Sequence, residues 1–399
     1  MSNQSDIKGK GILVMPRTEA MFYGPGSAGQ LPDAIAMTGM QRPFLLATPS
    51  LVKNGQVEAL EKIIGAPLCG TYAGSTAHNQ MPSVLAAVDA ARASNADGLI
   101  AFGGSSVVDM SKSVAMILAE GNDLEALRIR YSPEDGVHIP ALNHPKLPQI
   151  VVPTTLSGSE YTFAMAITDP DKREKLMFAD SKLIPKIIFH DSEICQSTPD
   201  RLWAGTGMKI FADCLEMIMS LKAMPMGNLY AYEGLKVLFE NLPKSIGTNT
   251  STQAIQNLHY AAYLAMSMAF NVSLGLVAGV RHQLGGGKNV PHGEASTIML
   301  PHVLRWNRET ASAETALAAA ARHLGLTANS DAALVDKLIE EIEAMVSGLG
   351  LPTTLSQVGV SSHDLPLVAE RVCGDSSVAF NPRRINTPDD VMQVLTQAI

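Results

Sequence analysis

The chain has 399 residues, of which 46% are hydrophobic and 17% charged, so it can bury a large core and is long enough for two domains. Its formal net charge of -8, with no long lysine or arginine run, argues against nucleic acid or an anionic membrane as the main partner. The four cysteines form no C-x-x-C pair, residues 1–10 are polar, and no run of 18 apolar residues occurs. We therefore expect a cytoplasmic enzyme that acts on a small molecule.

The first half of the chain alternates short apolar runs with longer amphipathic ones. This alternation predicts a doubly wound parallel sheet covered by helices on both faces. The predicted strands are 44–48, 98–102, 149–152 and 184–189, and the predicted helices are 57–64, 84–93 and 111–119.

The second half has long helical patterns rich in Ala, Leu and Met, and strand-like runs are nearly absent. We therefore predict an α/β nucleotide-binding domain over 1–195 and an all-helical domain over 196–399. The predicted helices are 199–223, 229–241, 252–284, 295–307, 312–324 and 330–347.

A glycine and serine loop, Gly103-Gly104-Ser105-Ser106, follows the predicted strand 98–102. Glycines let the backbone approach a pyrophosphate closely, and the next helix adds its positive N-terminal end. The sequence is not the G-x-G-x-x-G fingerprint, and a tight turn that binds nothing explains this loop equally well.

A second hydroxyl-rich loop, with Thr154, Thr155 and Ser157, follows the predicted strand 149–152. Loops at the carboxyl ends of neighbouring parallel strands face the same crevice, where open α/β sheets bind ligands. Together the two loops favour a phosphate-bearing cofactor.

Several motifs taken in order resemble the iron-containing (group III) alcohol dehydrogenase family. The segments 154–160 and 282–286 resemble its maleylacetate reductase branch most closely. The resemblance covers nearly the whole chain, and its motifs are specific together although none is specific alone. They are Gly103-Gly104-Ser105-Ser106 with Asp109 and Lys112, Pro153-Thr154-Thr155 with Gly158-Ser159-Glu160, Pro291-His292-Gly293, and 300–307.

The resemblance implies a nicotinamide cofactor, NADH or NADPH, bound by the first domain, a cleft where it meets the substrate, and a homodimer. It assigns the pyrophosphate to Gly103, Gly104, Ser105 and Ser106, and the nicotinamide end to Thr154, Thr155 and Ser157. Thr48 stands where many relatives have an aspartate that binds the adenosine ribose, so NADP is not repelled there.

The metal site of that family is degenerate in this sequence. By the alignment, its four ligand positions hold Lys209, Asp213, Ala278 and His292. A charged lysine cannot coordinate a metal and alanine has no donor, so we expect no metal. A weak site formed by Asp213 and His292 is the alternative.

A lysine or histidine can replace a metal ion in carbonyl reduction, because either can stabilise the charge that develops on the carbonyl oxygen. We assign that role to Lys209 and consider His282 and His292, placed near a glycine-rich loop, as proton donors. Each histidine could instead be a structural hydrogen bonder. Arg281, with Asp213, is a candidate for binding the substrate, and a surface salt bridge of Arg281 is the alternative.

The leading hypothesis is a metal-independent, NAD(P)H-dependent reductase of a small oxo compound, such as a maleylacetate-like oxo acid. The alternative is a non-redox enzyme of a specialised pathway, a lyase, cyclase or isomerase, on the same fold. A catalytically inactive binding subunit is a third reading. Binding of a nicotinamide cofactor separates the first reading from the second.

Overall fold

The computed structural model describes residues 13–15, 17–132, 136–172 and 174–399. These divide into two compact units, Val14–Thr198 and, together with Leu13, Pro199–Ile399. Residues 1–12 of the predicted N-terminal domain lie outside the described part. Within that part, no single helix has the length and apolar character of a membrane span.

The N-terminal unit alternates strands with helices, as its sequence predicts. Its strands are β1 (Ala20–Tyr23), β2 (Pro43–Leu46), β3 (Gly70–Tyr72), β4 (Gly98–Gly103), β5 (Arg130–Ser132), β6 (Gly136–His138), β7 (Gln149–Pro153), β8 (Ala164–Asp169), β9 (Glu174–Ala179) and β10 (Ile187–His190). Its helices are α1 (Leu31–Thr38), α2 (Pro49–Lys53), α3 (Gln56–Ile64), α4 (Met81–Ala93), α5 (Ser105–Glu120), α6 (Leu124–Leu127) and α7 (Ser192–Cys195).

Six strands form one parallel sheet in the order β1-β10-β7-β4-β2-β3. All the residues of β2, β4, β7 and β10 are buried, as expected when helices cover both faces of a parallel sheet. The two other pairs, β5 with β6 and β8 with β9, are antiparallel, and the sequence pattern did not predict them.

The strand order reverses at β2, because β3 follows on one side of it and β4 lies on the other. Open α/β sheets bind ligands at the carboxyl ends of the strands beside such a switch point. Thr48 follows β2, and the loop that begins at Gly103 follows β4. The topology therefore brings these predicted cofactor residues to one edge of the sheet.

The C-terminal unit is helical throughout. Its helices are α8 (Asp200–Met219), α9 (Pro225–Asn241), α10 (Thr252–Val272), α11 (Leu276–Lys288), α12 (His292–Asn307), α13 (Ala311–His323), α14 (Asp331–Gly348), α15 (Leu365–Cys373) and α16 (Pro388–Leu395). Helix α8 is almost wholly buried after its first turn. A Cβ on Gly293 would lie 2.4 Å from the carbonyl carbon of Gly205, so only glycine lets the start of α12 pack this closely on α8.

The single helix predicted over 252–284 is wrong, because the chain breaks after Val272 and turns by 99° into α11. Ser273 adopts a φ of 67°, which an α-helix cannot accommodate. The helical spacing of apolar residues continues on both sides of the break, so the hydrophobic pattern of the sequence did not reveal where the helix ends. The turn creates a new helix N-terminus at Leu276.

The prediction that His282 lies near a glycine-rich loop is also wrong. Residues 285–287 belong to the last turns of α11, and His282 itself lies inside that helix. His292 is the first residue of α12. These glycines are helical despite the low helix propensity of glycine, and only Gly285 among them is buried.

Candidate functional site

The backbone of the Gly103 loop has a conformation and a packing that require glycine, as expected where a ligand phosphate approaches the backbone closely. Gly103 has a φ of 149°, and a Cβ there would lie 2.8 Å from Cγ2 of Val107. A Cβ on Gly104 would lie 3.2 Å from both Oγ1 and Cγ2 of Thr155. Ser105 and Ser106 are the first residues of α5, where backbone NH groups have no partner within the helix. The loop thus offers small residues and NH donors to an anion.

The second loop lies directly beside the first, as the sequence predicts. Gly103 is in register with Pro153, and the NH of Thr154 donates to the carbonyl of Gly103 at 3.0 Å. Oγ1 of Thr155 is buried and has no hydrogen-bond partner among the described residues. Burying a hydroxyl without a hydrogen-bond partner lowers the stability of the fold. A ligand that accepts a hydrogen bond from Thr155 would explain why this hydroxyl is buried here. These features fit a bound dinucleotide.

The buried side chain of Lys112 stabilises the segment that follows the second loop. It is fully buried, and its Nζ donates to the carbonyls of Ser159 and Ala164, at 2.6 and 3.0 Å, and to Oγ1 of Thr162 at 3.1 Å. Burial lowers its pKa to about 8, although the carboxylates of Asp109 and Glu160 pull the pKa upward. Lys112 therefore fixes the loop that carries Ser157.

Thr48 stands at the N-cap position of α2, directly after β2, and its side chain makes no capping hydrogen bond to the helix. Its Oγ1 lies 2.8 Å from Oγ of Ser50, and its side chain is half-buried. The hydroxyls of Thr48 and Ser50 carry no charge, so this corner does not repel a phosphate.

In the C-terminal unit, three predicted site residues form one buried charge cluster. Nζ of Lys209 lies 2.8 Å from Oδ2 of Asp213, and Nη1 of Arg281 lies 2.5 Å from Oδ1. Asp213 is fully buried and Arg281 is 2% exposed. Burial alone raises the pKa of Asp213, but the charges and hydrogen bonds of Arg281 and Lys209 outweigh it and keep the carboxylate ionised.

Lys209 is the accessible member of this charge cluster, with 12% of its side chain exposed. Its Nζ also lies 3.4 Å from Sδ of Met266 on α10. Arg281 has a second contact, 3.4 Å from Nη1 to Oγ of Ser296, and its Nε finds no acceptor in the described chain. Arg281 is therefore buried against Asp213 rather than placed in a surface salt bridge.

Glu216, which the sequence analysis did not single out, fixes the start of α11. Its carboxylate accepts from the NH groups of Val277 at 2.7 Å and Ala278 at 3.2 Å. Asn381 accepts from Leu276 NH at 3.1 Å. Burial raises the pKa of Glu216 to about 7, although Arg281 pulls it downward. These caps satisfy the helix terminus that the break at Ser273 exposes, and so they set the position of α11.

His282 and His292 lie side by side. Their ring centroids are 5.7 Å apart, at an interplanar angle of 49°. Nδ1 of His282 lies 3.0 Å from Oδ2 of Asp375, which the sequence analysis missed. Asp375 lies 93 residues further along the chain in a stretch without a motif, so no sequence signal pointed to it.

The residues at the aligned metal-ligand positions do not form a donor set that fits a divalent ion. Both oxygens of Asp213 face cationic nitrogens, Ala278 contributes no donor, and a charged lysine ligates no metal. Among the described residues, no group of three or more His, Cys, Asp or Glu side chains is arranged to hold a metal.

The sequence matches two family models that together span most of the chain. The model described as iron-containing alcohol dehydrogenase matches residues 18–192, and the model described as Fe-containing alcohol dehydrogenase family, C-terminal, matches residues 203–399. A lactaldehyde reductase from Escherichia coli K12 is 28% identical over 381 residues, 94% of this chain and 96% of that protein. An NAD-dependent methanol dehydrogenase from Bacillus methanolicus is 28% identical over 313 residues, 78% of this chain and 80% of that protein.

Solved structures share the fold over nearly the full length. A 1,3-propanediol oxidoreductase superposes with a TM-score of 0.89 at 24% identity, covering 97% of this chain and 100% of the other. A maleylacetate reductase from Agrobacterium tumefaciens superposes with a TM-score of 0.78 at 24% identity, covering 98% and 99%. The predicted architecture, a parallel-sheet domain followed by a helical domain, is confirmed.

Proposed function

Because this chain belongs to the iron-containing alcohol dehydrogenase family, we propose that it is an NAD(P)H-dependent reductase of a small oxo compound that works without a metal ion. The observation that carries the proposal is the contact of Lys209 and Arg281 with the single carboxylate of Asp213. Two cations and one anion leave a net positive charge, and two of these three residues, Lys209 and Asp213, stand at positions that the family resemblance assigns to metal ligands. A positive group can stabilise the developing alkoxide there as a metal would.

The N-terminal unit binds the cofactor in this proposal. Gly103, Gly104 and the first residues of α5 hold the pyrophosphate, and Thr155 donates its buried hydroxyl to the cofactor. Thr154 and Ser157 lie toward the nicotinamide end, and Thr48 faces the adenosine ribose. When bound, NADH or NADPH supplies the hydride.

The C-terminal unit acts on the substrate oxygen. The partly exposed ammonium of Lys209 stabilises the negative charge that forms there, and His282 or His292 supplies the proton. Asp213 and Arg281 were predicted to bind the substrate. Their burial favours a positioning role in which both act through Lys209.

The substrate class is a small oxo compound, with a maleylacetate-like oxo acid as the specific candidate. The lactaldehyde reductase among the relatives supports a small carbonyl substrate. The maleylacetate reductase structure supports the shared fold. A cytoplasmic homodimer completes the proposal, and light scattering measures the oligomeric state.

The test combines a chelator with variants of the lysine. We expect the purified protein to bind NADH or NADPH and to reduce members of an aldehyde and oxo-acid panel equally well before and after exhaustive chelation. Lys209→Met should lower kcat by roughly 100- to 1,000-fold, because it removes one charge-stabilising group. Lys209→Arg should retain part of the activity. Lys236→Met, at an exposed lysine of α9, is the matched control.

Two results would overturn the proposal. Activity that disappears with the chelator and returns with iron or zinc would exclude metal independence. A protein that binds neither cofactor and reduces no member of the panel, with or without metal, would exclude a reductase and favour the lyase, cyclase or isomerase alternative.

A further inference from the structure

Asp375 holds His282 by one of its two ring nitrogens. Oδ2 of Asp375 lies 3.0 Å from Nδ1 of His282 and accepts from Nε2 of Gln283 at 3.1 Å. Oδ1 accepts from the NH of Ser377 at 2.9 Å. Both carboxylate oxygens therefore have donors, and the carboxylate is fixed on its own segment as well as on α11.

The charge state of Asp375 decides which nitrogen of His282 carries a proton. Burial alone raises the pKa of Asp375, but the charge and hydrogen bond of His282 and the NH of Ser377 outweigh burial and lower the pKa to about 2. An ionised carboxylate can only accept hydrogen bonds. Nδ1 of His282 must therefore be the protonated nitrogen of the neutral ring, which makes Nε2 the basic one.

We propose that Asp375 is a positioning residue that fixes the Nδ1–H tautomer of His282, and that His282 rather than His292 gives the proton to the substrate oxygen through Nε2. The proposal rests on the reductase function above. It assigns the proton to one of the two histidines that sequence reasoning left open.

The proton balance of the step follows from this tautomer. In reduction, the hydride forms a C–H bond at the carbonyl carbon, and the electron pair of the C=O π bond moves to oxygen. The Nε2–H bond of the His282 imidazolium breaks and its proton forms the O–H bond. The ring is left neutral with Nδ1–H on Asp375, and solvent returns the proton. A bound NADH or NADPH would supply the hydride and be oxidised by its loss, so atoms and electrons balance.

Helix α11 is packed against several other charged or titratable groups, and these must stay unchanged in the test. From its own sequence they are Arg281 and Lys288, and from the neighbouring elements they are Lys209, Asp213 and Glu216 on α8, His292 on α12, Asp364, which pairs with Lys288, and Arg371 on α15.

The direct test is long-range proton–nitrogen NMR of the histidine rings in the full-length protein without cofactor or substrate. His282→Asn identifies the ring signals by their loss. We expect His282 in the Nδ1–H form, and we expect Asp375→Asn to lower its pKa by about 1–3 units and to mix its tautomers. Asp336→Asn, at an exposed aspartate paired with Arg308, is the matched control and should change neither.

The second readout is the pH profile of turnover. Asp375→Asn should shift the His282-dependent limb of kcat toward lower pH and reduce kcat roughly tenfold or more, and His282→Asn should abolish that limb. A profile unchanged in Asp375→Asn, an Nε2–H tautomer in the wild-type protein, or loss of the limb only in His292→Asn would each overturn the proposal.

The two proposals fail separately. If no carbonyl compound is reduced, the reductase and the proton transfer fail together, while the ring spectra still decide whether Asp375 fixes the tautomer. If reduction proceeds and the spectra show no effect of Asp375, the positioning role alone is wrong.

Discussion

Lys209 and Asp213 lie one turn apart on the buried helix α8, with 2.8 Å between Nζ and Oδ2. The same carboxylate receives Arg281 from α11 on its other oxygen. A fully buried anion is therefore neutralised from two helices.

Asp213→Asn should destabilise the fold by about 3–5 kcal/mol, because it leaves two neighbouring cations without their counter-charge. Lys209→Met should lower the free energy of unfolding by less than Asp213→Asn does, since Arg281 still neutralises Asp213. Urea unfolding measures both variants. Asp336→Asn, at an exposed pair, should stay within about 1 kcal/mol of wild type. Equal effects of all three would show that burial of the charge cluster contributes nothing.

Thr155→Val should separate stability from cofactor binding. The valine removes a buried hydroxyl without a partner in the described chain, so unfolding in the absence of cofactor should be unchanged or more difficult. Affinity for NADH or NADPH, followed by fluorescence titration, should fall roughly tenfold through the loss of one hydrogen bond.

Thr168→Val is the matched control for that experiment. Oγ1 of Thr168 donates to the carbonyl of His78 at 2.7 Å, so its loss should cost about 1 kcal/mol of stability and leave the affinity unchanged. Unchanged affinity in Thr155→Val would remove Thr155 from the cofactor site.

Thr48→Asp should discriminate between the two cofactors. A carboxylate at the end of β2 repels a ribose 2′-phosphate and accepts hydrogen bonds from a free ribose, so NADPH should bind at least about tenfold more weakly and NADH no more weakly. The neutral Thr48→Asn should show no such discrimination. An equal loss for both cofactors, read by titration at two salt concentrations, would place the ribose elsewhere.

Acid should destabilise the N-terminal unit through His190. Burial lowers the pKa of His190 to about 4, and its Nε2 lies 2.6 Å from the hydroxyl of Tyr161. The unfolded ring binds a proton below about 6.5 and the folded ring does not, so stability is lost as pH falls from about 6.5 to 4. Thermal unfolding of His190→Gln should depend less steeply on pH in that window. A slope equal to that of wild type would assign the acid sensitivity to other groups.

Sequence patterns predicted the parallel sheet and the adjacency of the two loops because both depend on local signals. Apolar runs between amphipathic helices specify parallel strands, and small hydroxyl-rich residues after two such strands specify neighbouring loops. The same reasoning failed at Ser273, where one backbone angle interrupts a helix without changing its apolar period.

The sequence by itself determined the class of fold and the neighbouring positions of the two loops, because both follow from residue types at a given spacing. Only the tertiary structure decided which groups touch. The bend before α11 brings Arg281 onto Asp213 and His282 onto Asp375, and these pairs are 68 and 93 residues apart in the chain. Contacts over such separations follow from helix packing and burial, which no local pattern records.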